Sequence, residues 1–146
     1  MPTPTERWLI DTNVWIFGLR RDEKSPDSVR LLQKLGSFTA LIPLQVIKEL
    51  HLNLTDREMA EFYGLLNRFP TRAELNWEEP SNERVAFYRK AGCRKGDAII
   101  AASAERLKAD LIISNNRQFL QAVSDLAAAI VTPSQALARL RVADDE

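Results

Sequence analysis

The sequence predicts an α/β sandwich built on a mostly parallel sheet. Short apolar segments alternate along the chain with longer segments whose apolar residues recur at helical spacing. Such alternation is typical of strands joined by crossover helices, which leave neighbouring strands parallel. Because the chain has no internal repeat and no Gly/Ser linker, we expect one domain over residues 1–146, with its core at about 7–141 and an acidic tail at 142–146.

The first strand is predicted at the N-terminal end of the stretch RWLIDTNVWIF. Trp8, Leu9 and Ile10 form an apolar run that leads directly into Asp11, and apolar residues resume at Val14. This pattern indicates a buried strand that ends on a carboxylate, followed by a turn and a helix. Ligands of open parallel sheets bind at the carboxyl ends of strands, so Asp11 is a candidate site residue.

The remaining elements follow from apolar periodicity, capping residues and Gly or Pro stops. Further strands are predicted at 38–42, 73–77, 111–113 and 128–131, with 73–77 at an edge because polar residues alternate along it. Further helices are predicted at 26–35, 44–54, 56–69, 82–91, 97–107, 117–123 and 133–140. Two capping boxes support this scheme, one beginning at Thr55 and one at Thr132.

Composition narrows the class of protein. Hydrophobic residues make up 45% of the 146 and charged residues 27%, which is typical of a globular protein and not of a disordered one. Neither a membrane-length apolar run nor a signal-peptide segment occurs, so we expect a cytoplasmic protein with no membrane partner. Twenty Lys and Arg residues balance twenty Asp and Glu residues, so any polyanion must meet a local basic patch. With Cys93 and His51 the only residues of their kinds, a metal would need oxygen ligands.

Four polar side chains occupy positions where chemistry is expected. Asp11 and Asn116 follow strands, Glu49 lies within a helix, and Asp97 begins the alanine-rich helix. If the strand at 111–113 lies beside the first, Asp11 and Asn116 meet at the switch point of the sheet, and Asp97 reaches the same crevice. Clustered carboxylates repel one another unless they are protonated or bridged by cations, and oxygen ligands select Mg²⁺ or Mn²⁺. The chemistry implied is hydrolysis of a phosphodiester.

Each of these residues also has a simpler interpretation. Asp11 and Asp97 are suited to capping the helices that follow them. Glu49 could be an exposed helix residue that pairs with Lys48 or a nearby arginine. Asn116 and its neighbour Asn115 could simply form a turn, because asparagine is common in turns. The residue types alone do not decide between these interpretations.

The ordered segments LIDTNVWI, VIKEL, KGDAIIAASA and LIISNNRQF resemble the PIN domain, in particular the short VapC-type toxin ribonucleases of toxin–antitoxin pairs. The resemblance extends from Leu9 to about Thr132. It implies a three-layer sandwich with about five strands in the order 3-2-1-4-5, and a Mg²⁺- or Mn²⁺-dependent endoribonuclease acting on RNA. It also implies a homodimer and a protein antitoxin that binds an apolar groove formed by the first and middle helices.

The same resemblance assigns the acids. Asp11, Glu49 and Asp97 match the three acids that recur in the family and are the implied metal ligands. Where the family often has a fourth acid, this chain has Asn116, which the resemblance places among the catalytic positions. An amide accepts hydrogen bonds without bringing a charge, so a second metal should bind more weakly.

Neighbouring residues complete the candidate site. Thr12, Asn13 and Ser114 are candidates for orienting ligands or water, although the hydroxyls are equally suited to bonding local turn backbone. Arg89, Arg94, Lys95 and Arg117 are candidates for contacting RNA phosphates, the alternative for the first three being a solvated helix end. His51 is expected at the surface or in packing, and Cys93 lies in a basic turn able to lower its pKa.

Other functions remain possible on this pattern. An aspartyl phosphatase needs a second acid two positions after Asp11, where this chain has Asn13. A dinucleotide site needs a glycine-rich loop after the first strand, and none follows. A catalytically reduced PIN-fold module that binds RNA or protein is the main alternative, because Asn116 replaces an acid.

Overall fold

The computed structural model describes residues 5–116 and 126–144. Its sheet has five strands in the order β3-β2-β1-β4-β5, and every neighbouring pair is parallel. The strands are β1 (Arg7–Ile10), β2 (Thr39–Pro43), β3 (Ala73–Asn76), β4 (Leu111–Ile113) and β5 (Ala129–Val131). This architecture confirms the predicted parallel α/β fold, its strand order and the edge position of β3.

Helices flank the sheet, and those in the described ranges are α1 (Thr12–Leu19), α2 (Pro26–Leu32), α3 (Leu44–Asn53), α4 (Asp56–Asn67), α5 (Asn82–Lys90), α6 (Lys95–Arg106) and α7 (Pro133–Asp144). α2 packs against both α1 and α7, and α5 packs against α6. The helix predicted at 117–123 lies outside the described residues. Within the described part of the chain, no helix is both long and apolar enough to cross a membrane.

Each of α2 to α7 differs from its predicted bounds by one to four residues at one end or both. α2 ends at Leu32, and the chain then turns through Gly36 at φ +99°, where a Cβ atom would lie 2.7 Å from the ring of Phe69. α6 begins at Lys95, two residues early, since the Arg94 carbonyl already accepts a bond from Ala98 N. α7 continues through Asp144, so the predicted tail is helical over its first residues.

The predicted capping boxes are both present. Thr55 Oγ1 accepts a hydrogen bond from Glu58 N while Glu58 Oε1 accepts one from Thr55 N. The same reciprocal pair joins Thr132 and Gln135 at the start of α7. Each box satisfies backbone donors that the first turn of a helix leaves without intrahelical partners.

The core surrounds the central strands. Leu9, Leu41 and Ile112 are inaccessible to solvent, as expected where helices cover both faces of a parallel sheet. Trp8 stacks on Phe38 with ring centroids 4.3 Å apart. This rigid centre fixes where the carboxyl ends of the strands lie.

The register of β1 and β4 positions the candidate site. Ile10 pairs with Ile113, so the residues that follow them, Asp11 and Ser114, leave the sheet side by side. Asp11 N donates to Ile113 O at 2.9 Å, which continues the ladder by one bond. The two strands therefore deliver a carboxylate and a hydroxyl to the same point at the edge of the sheet.

Candidate active site

Asp11 is the buried centre of the site, with 7% of its surface exposed. Its Oδ1 accepts a hydrogen bond from Thr12 N at 2.8 Å, and its Oδ2 accepts one from Ser114 Oγ at 2.8 Å. The first bond caps α1, so Asp11 is both a helix-capping residue and a member of the acidic cluster. The second ties the carboxylate to the end of β4 and fixes its orientation.

Glu49 reaches the same place from α3, where it is half-buried. Thr12 Oγ1 donates to Glu49 Oε2 at 2.5 Å, and Gln45 Nε2 donates to Glu49 Oε1 at 2.7 Å. The interpretation of Glu49 as an exposed partner of Lys48 is wrong, because Lys48 Nζ instead bonds Glu79 at 2.9 Å.

Gln45 is a site residue that the sequence analysis missed. It lies one helical turn before Glu49, a spacing at which a glutamine amide and a carboxylate commonly bond. That spacing was the available signal. It became meaningful only once Glu49 was known to face the site instead of solvent.

Asp97 enters from the first turn of α6. The N-cap of this helix is Arg94, so the interpretation of Asp97 as the capping residue is wrong. Asp97 is half-buried, and Asn116 Nδ2 lies 3.5 Å from its Oδ2, at the outer limit for a hydrogen bond. A Cβ atom on Gly96 would lie 3.5 Å from Glu49 Oε1, which shows how closely the start of α6 approaches Glu49.

Burial and mutual repulsion perturb these acids. The pKa of Asp11 is raised from 3.8 to about 6, mainly by burial and additionally by the charges of Glu49 and Asp97, against the lowering effect of the Ser114 and Thr12 hydrogen bonds. Burial also raises the pKa of Asp97, and the charge of Glu49 adds to this effect while the nearby Arg94 charge opposes it. Both carboxylates are therefore harder to ionise than free ones, first because they are desolvated and second because they lie near like charges.

The donor set fits a hard divalent cation in its chemistry. Three carboxylates and the Asn116 amide supply only oxygen ligands, the type that Mg²⁺ and Mn²⁺ prefer, and a cation would also offset the repulsion from Glu49 and Asp97 that adds to the effect of burial on Asp11. Within residues 5–116 and 126–144, no group of three His, Cys, Asp or Glu side chains is close enough together to form a ready metal site.

Ser114 links Asn116, which occupies the position of the family's fourth acid, to Asp11. Its hydroxyl accepts a hydrogen bond from Asn116 N at 3.0 Å while donating to Asp11. Asn116 thus stands where the resemblance expects an acid and lies beside Asp97. Asn13 follows Asp11 in α1, and within the described residues its buried Oδ1 accepts no hydrogen bond.

Only some of the basic side chains predicted to contact RNA lie next to the acidic cluster. Arg94 and Lys95 are exposed at the start of α6, next to Asp97, and Arg89 is exposed in the last turn of α5. Arg117 lies outside the described residues. Arg20, in a weaker basic group that also contains Arg21 and Lys24, is engaged by Glu58 at 2.8 Å.

The remaining reactive side chains stand apart from this chemistry. His51 is exposed, as predicted, and its Nε2 lies 3.2 Å from Tyr63 Oη. Cys93 is buried, and burial together with the Asp97 charge raises the pKa of its thiol. The basic turn, which was able to lower this pKa, does not do so because the side chain is buried.

A parallel sheet in the order 3-2-1-4-5, with an acid directly after β1 and polar residues directly after β4, defines a class of α/β proteins with a site at the switch point. Residues 8–124 match the model of the PIN domain. The chain belongs to the PIN domain family, as the sequence motifs predicted.

Solved structures share the fold. VapBC2 from Rickettsia felis, crystallised with a DNA fragment from its promoter, includes a chain that is 16% identical, with a TM-score of 0.56 over 86% of this chain and 98% of that one. PAE2754 from Pyrobaculum aerophilum is 17% identical, with a TM-score of 0.57 over 94% and 96% of the two chains. No curated protein matches the sequence.

Proposed function

We propose that this protein is a Mg²⁺- or Mn²⁺-dependent endoribonuclease that acts as the toxin of a toxin–antitoxin pair in the cytoplasm. The observation that carries the proposal is the convergence of Asp11, Glu49 and Asp97, from three separate elements, at the carboxyl edge of a PIN-domain sheet. Their excess negative charge suits a site completed by a divalent cation.

The three carboxylates would hold the ion, and neighbouring groups would keep them in place. Ser114 orients Asp11, whereas Thr12 and Gln45 orient the two oxygens of Glu49. When bound, the ion would supply the positive charge that brings a phosphodiester and an attacking water to this acidic edge. Asn116, neutral beside Asp97, adds a polar contact without a further charge, which favours one ion over two.

RNA would approach along the start of α6. Arg94 and Lys95 lie at the N-terminus of this helix, where the helix dipole also favours phosphate groups. Arg89 would extend this basic edge toward α5, and Arg117 is proposed to contact the same strand of RNA. These cations would offset the repulsion between the RNA backbone and the acids.

An antitoxin would bind the groove between α1, α2 and α4. This groove encloses about 600 Å³, and its apolar lining is formed by Leu19, Val29, Leu32, Leu65 and Phe69. Arg21 and Arg68 stand among these residues, so the groove suits an apolar peptide segment that also carries acidic groups. The fold shared with a chain of VapBC2 supports a partner of this kind. A homodimer is proposed from the resemblance of the sequence motifs to VapC-type toxins.

Cleavage of RNA by the purified protein tests the proposal. We expect cleavage with Mg²⁺ or Mn²⁺, none with excess EDTA, and none from Asp11→Asn or Asp97→Asn. Asp56→Asn is the control, because Asp56 is exposed in the first turn of α4. Cleavage that persists in EDTA or in both site variants would contradict the metal mechanism.

A catalytically reduced RNA-binding module is the second candidate. Asn116, an uncharged amide beside Asp97 at the fourth acid position, favours it. This alternative predicts that RNA is retained but stays intact with every divalent ion. The same cleavage assay, combined with an RNA-retention measurement, distinguishes the two functions.

A further inference from the structure

A second cavity adjoins the acidic cluster and has no role in the function proposed above. It encloses about 360 Å³ between α3 and the N-terminal ends of α5 and α6. That volume falls within the range of about 300–1,000 Å³ typical of small-molecule sites. Its walls are formed by aliphatic side chains of all three helices, together with polar groups and two lysines.

The cavity and the acidic cluster share a wall. Gln45 lines the cavity and donates its amide hydrogen to Glu49 Oε1 at 2.7 Å. Lys95 also lines the cavity and precedes Asp97 by two residues in α6. A group bound in the cavity would therefore lie next to whatever is held by Glu49 and Asp97.

The lining has the chemistry of a nucleotide site. Leu44, Val85 and Ile99 present aliphatic surface suited to the flat faces of a base, and Asn82 brings an amide able to bond its polar edge. Two lysines are present, but Lys48 is engaged by Glu79. Lys95 makes no ion pair within the described part of the chain, which leaves its ammonium group available for a phosphate.

We propose that this cavity binds the base of the nucleotide adjoining the scissile phosphate, while Lys95 contacts the phosphate of that nucleotide. The proposal rests on the ribonuclease function and adds to it a determinant of substrate position. A base held here would place its own phosphate at the acidic edge, because Gln45 both lines the cavity and bonds Glu49, and Lys95 of the lining lies two residues before Asp97.

Filling the cavity tests the proposal without touching the acids. Val85→Trp places an indole in the cavity, and Val142→Trp is the control for the tryptophan itself because Val142 is an exposed valine of α7 that lines neither this cavity nor the groove between α1, α2 and α4. Each variant is assayed with Mn²⁺ on an RNA oligonucleotide and on bis(4-nitrophenyl) phosphate, which has a phosphodiester but no base. We expect Val85→Trp to lower kcat/KM on RNA by about fivefold to a hundredfold, the range for one lost base contact, and to leave hydrolysis of the small ester unchanged.

A second measurement uses the unmodified protein. RNA oligonucleotides with a single abasic site at successive positions around the cleaved bond should show one position where kcat/KM falls by a similar factor. Absence of such a position would overturn the proposal, as would equal losses on RNA and the small ester in Val85→Trp, or equal losses on RNA in the two tryptophan variants. If the unmodified protein hydrolyses neither substrate, the ribonuclease function itself is refuted, and that result is distinct from failure of the base site.

Discussion

Asp11→Asn should stabilise the metal-free protein at neutral pH. Burial raises the pKa of Asp11 from 3.8 to about 6, so the folded chain binds the proton more tightly than the unfolded chain does. Ionisation of Asp11 therefore does not affect the free energy of unfolding below pH 3.8. It lowers this free energy progressively as the pH rises from 3.8 to about 6, and by a constant amount above that value. The difference between the two pKa values corresponds to ~3 kcal/mol.

Asparagine removes this cost with little change of shape. Its Oδ1 can still accept from Thr12 N, and its amide can donate to Ser114 Oγ in place of the present bond. For a domain of this size, ~3 kcal/mol corresponds to an increase in Tm of about 6–12 °C. The same variant should lose ribonuclease activity, so stability and function would change in opposite directions.

Thermal unfolding in EDTA, followed by circular dichroism at pH 4 and pH 7.5, measures the effect. We expect the variant to exceed the unmodified protein in Tm at pH 7.5 and the gap to narrow at pH 4. Adding Mn²⁺ should raise the Tm of the unmodified protein and not that of the variant. A variant that is no more stable than the unmodified protein at pH 7.5 would refute the reasoning, and Asp56→Asn controls for loss of an exposed carboxylate.

Three further changes test the groups around Asp11. Gln45→Leu should weaken Mn²⁺ binding by about tenfold in calorimetry, because Glu49 Oε1 loses its donor; unchanged affinity would show that Gln45 does not position Glu49. Asn116→Asp should strengthen Mn²⁺ binding and lower the Tm in EDTA, since it adds a fourth charge beside Asp97; a higher Tm in EDTA would contradict this account. Thr55→Ala should lower the Tm by an amount equivalent to about 1 kcal/mol and leave Mn²⁺ affinity unchanged, because it removes only a helix cap; weaker binding would link α4 to the site.

The fold was predictable because its signals are local. Trp8, Leu9 and Ile10 form an apolar run that needs burial on both faces, and the capping boxes at Thr55 and Thr132 mark helix starts through contacts three residues apart. Packing between distant segments is not visible in such local signals. After the end of α2, Gly36 lies against the ring of Phe69, a contact between segments more than thirty residues apart.

In the candidate site, too, some residues could be predicted from the sequence and others could not. The sequence indicated Asp11, Glu49, Asp97 and Asn116, because polar residues that follow strands or interrupt an apolar pattern are visible in the chain itself. It did not indicate Gln45, nor that Cys93 is buried with a raised pKa. Hydrogen-bond partners and desolvation depend on which surfaces pack together, which neighbouring residues in the chain do not reveal.

The sequence alone determined the alternation of strands and helices, the order of the acids along the chain and the family to which the motifs belong. Only the tertiary structure decided that Ile10 pairs with Ile113, that Ser114 therefore bonds Asp11, and that a cavity shares Gln45 with the acidic cluster. The physical reason is the distance along the chain over which each kind of interaction acts. Periodicity and capping act over a few residues, whereas the pKa of Asp11 is set by burial and by charges that lie 38 and 86 positions away in the sequence.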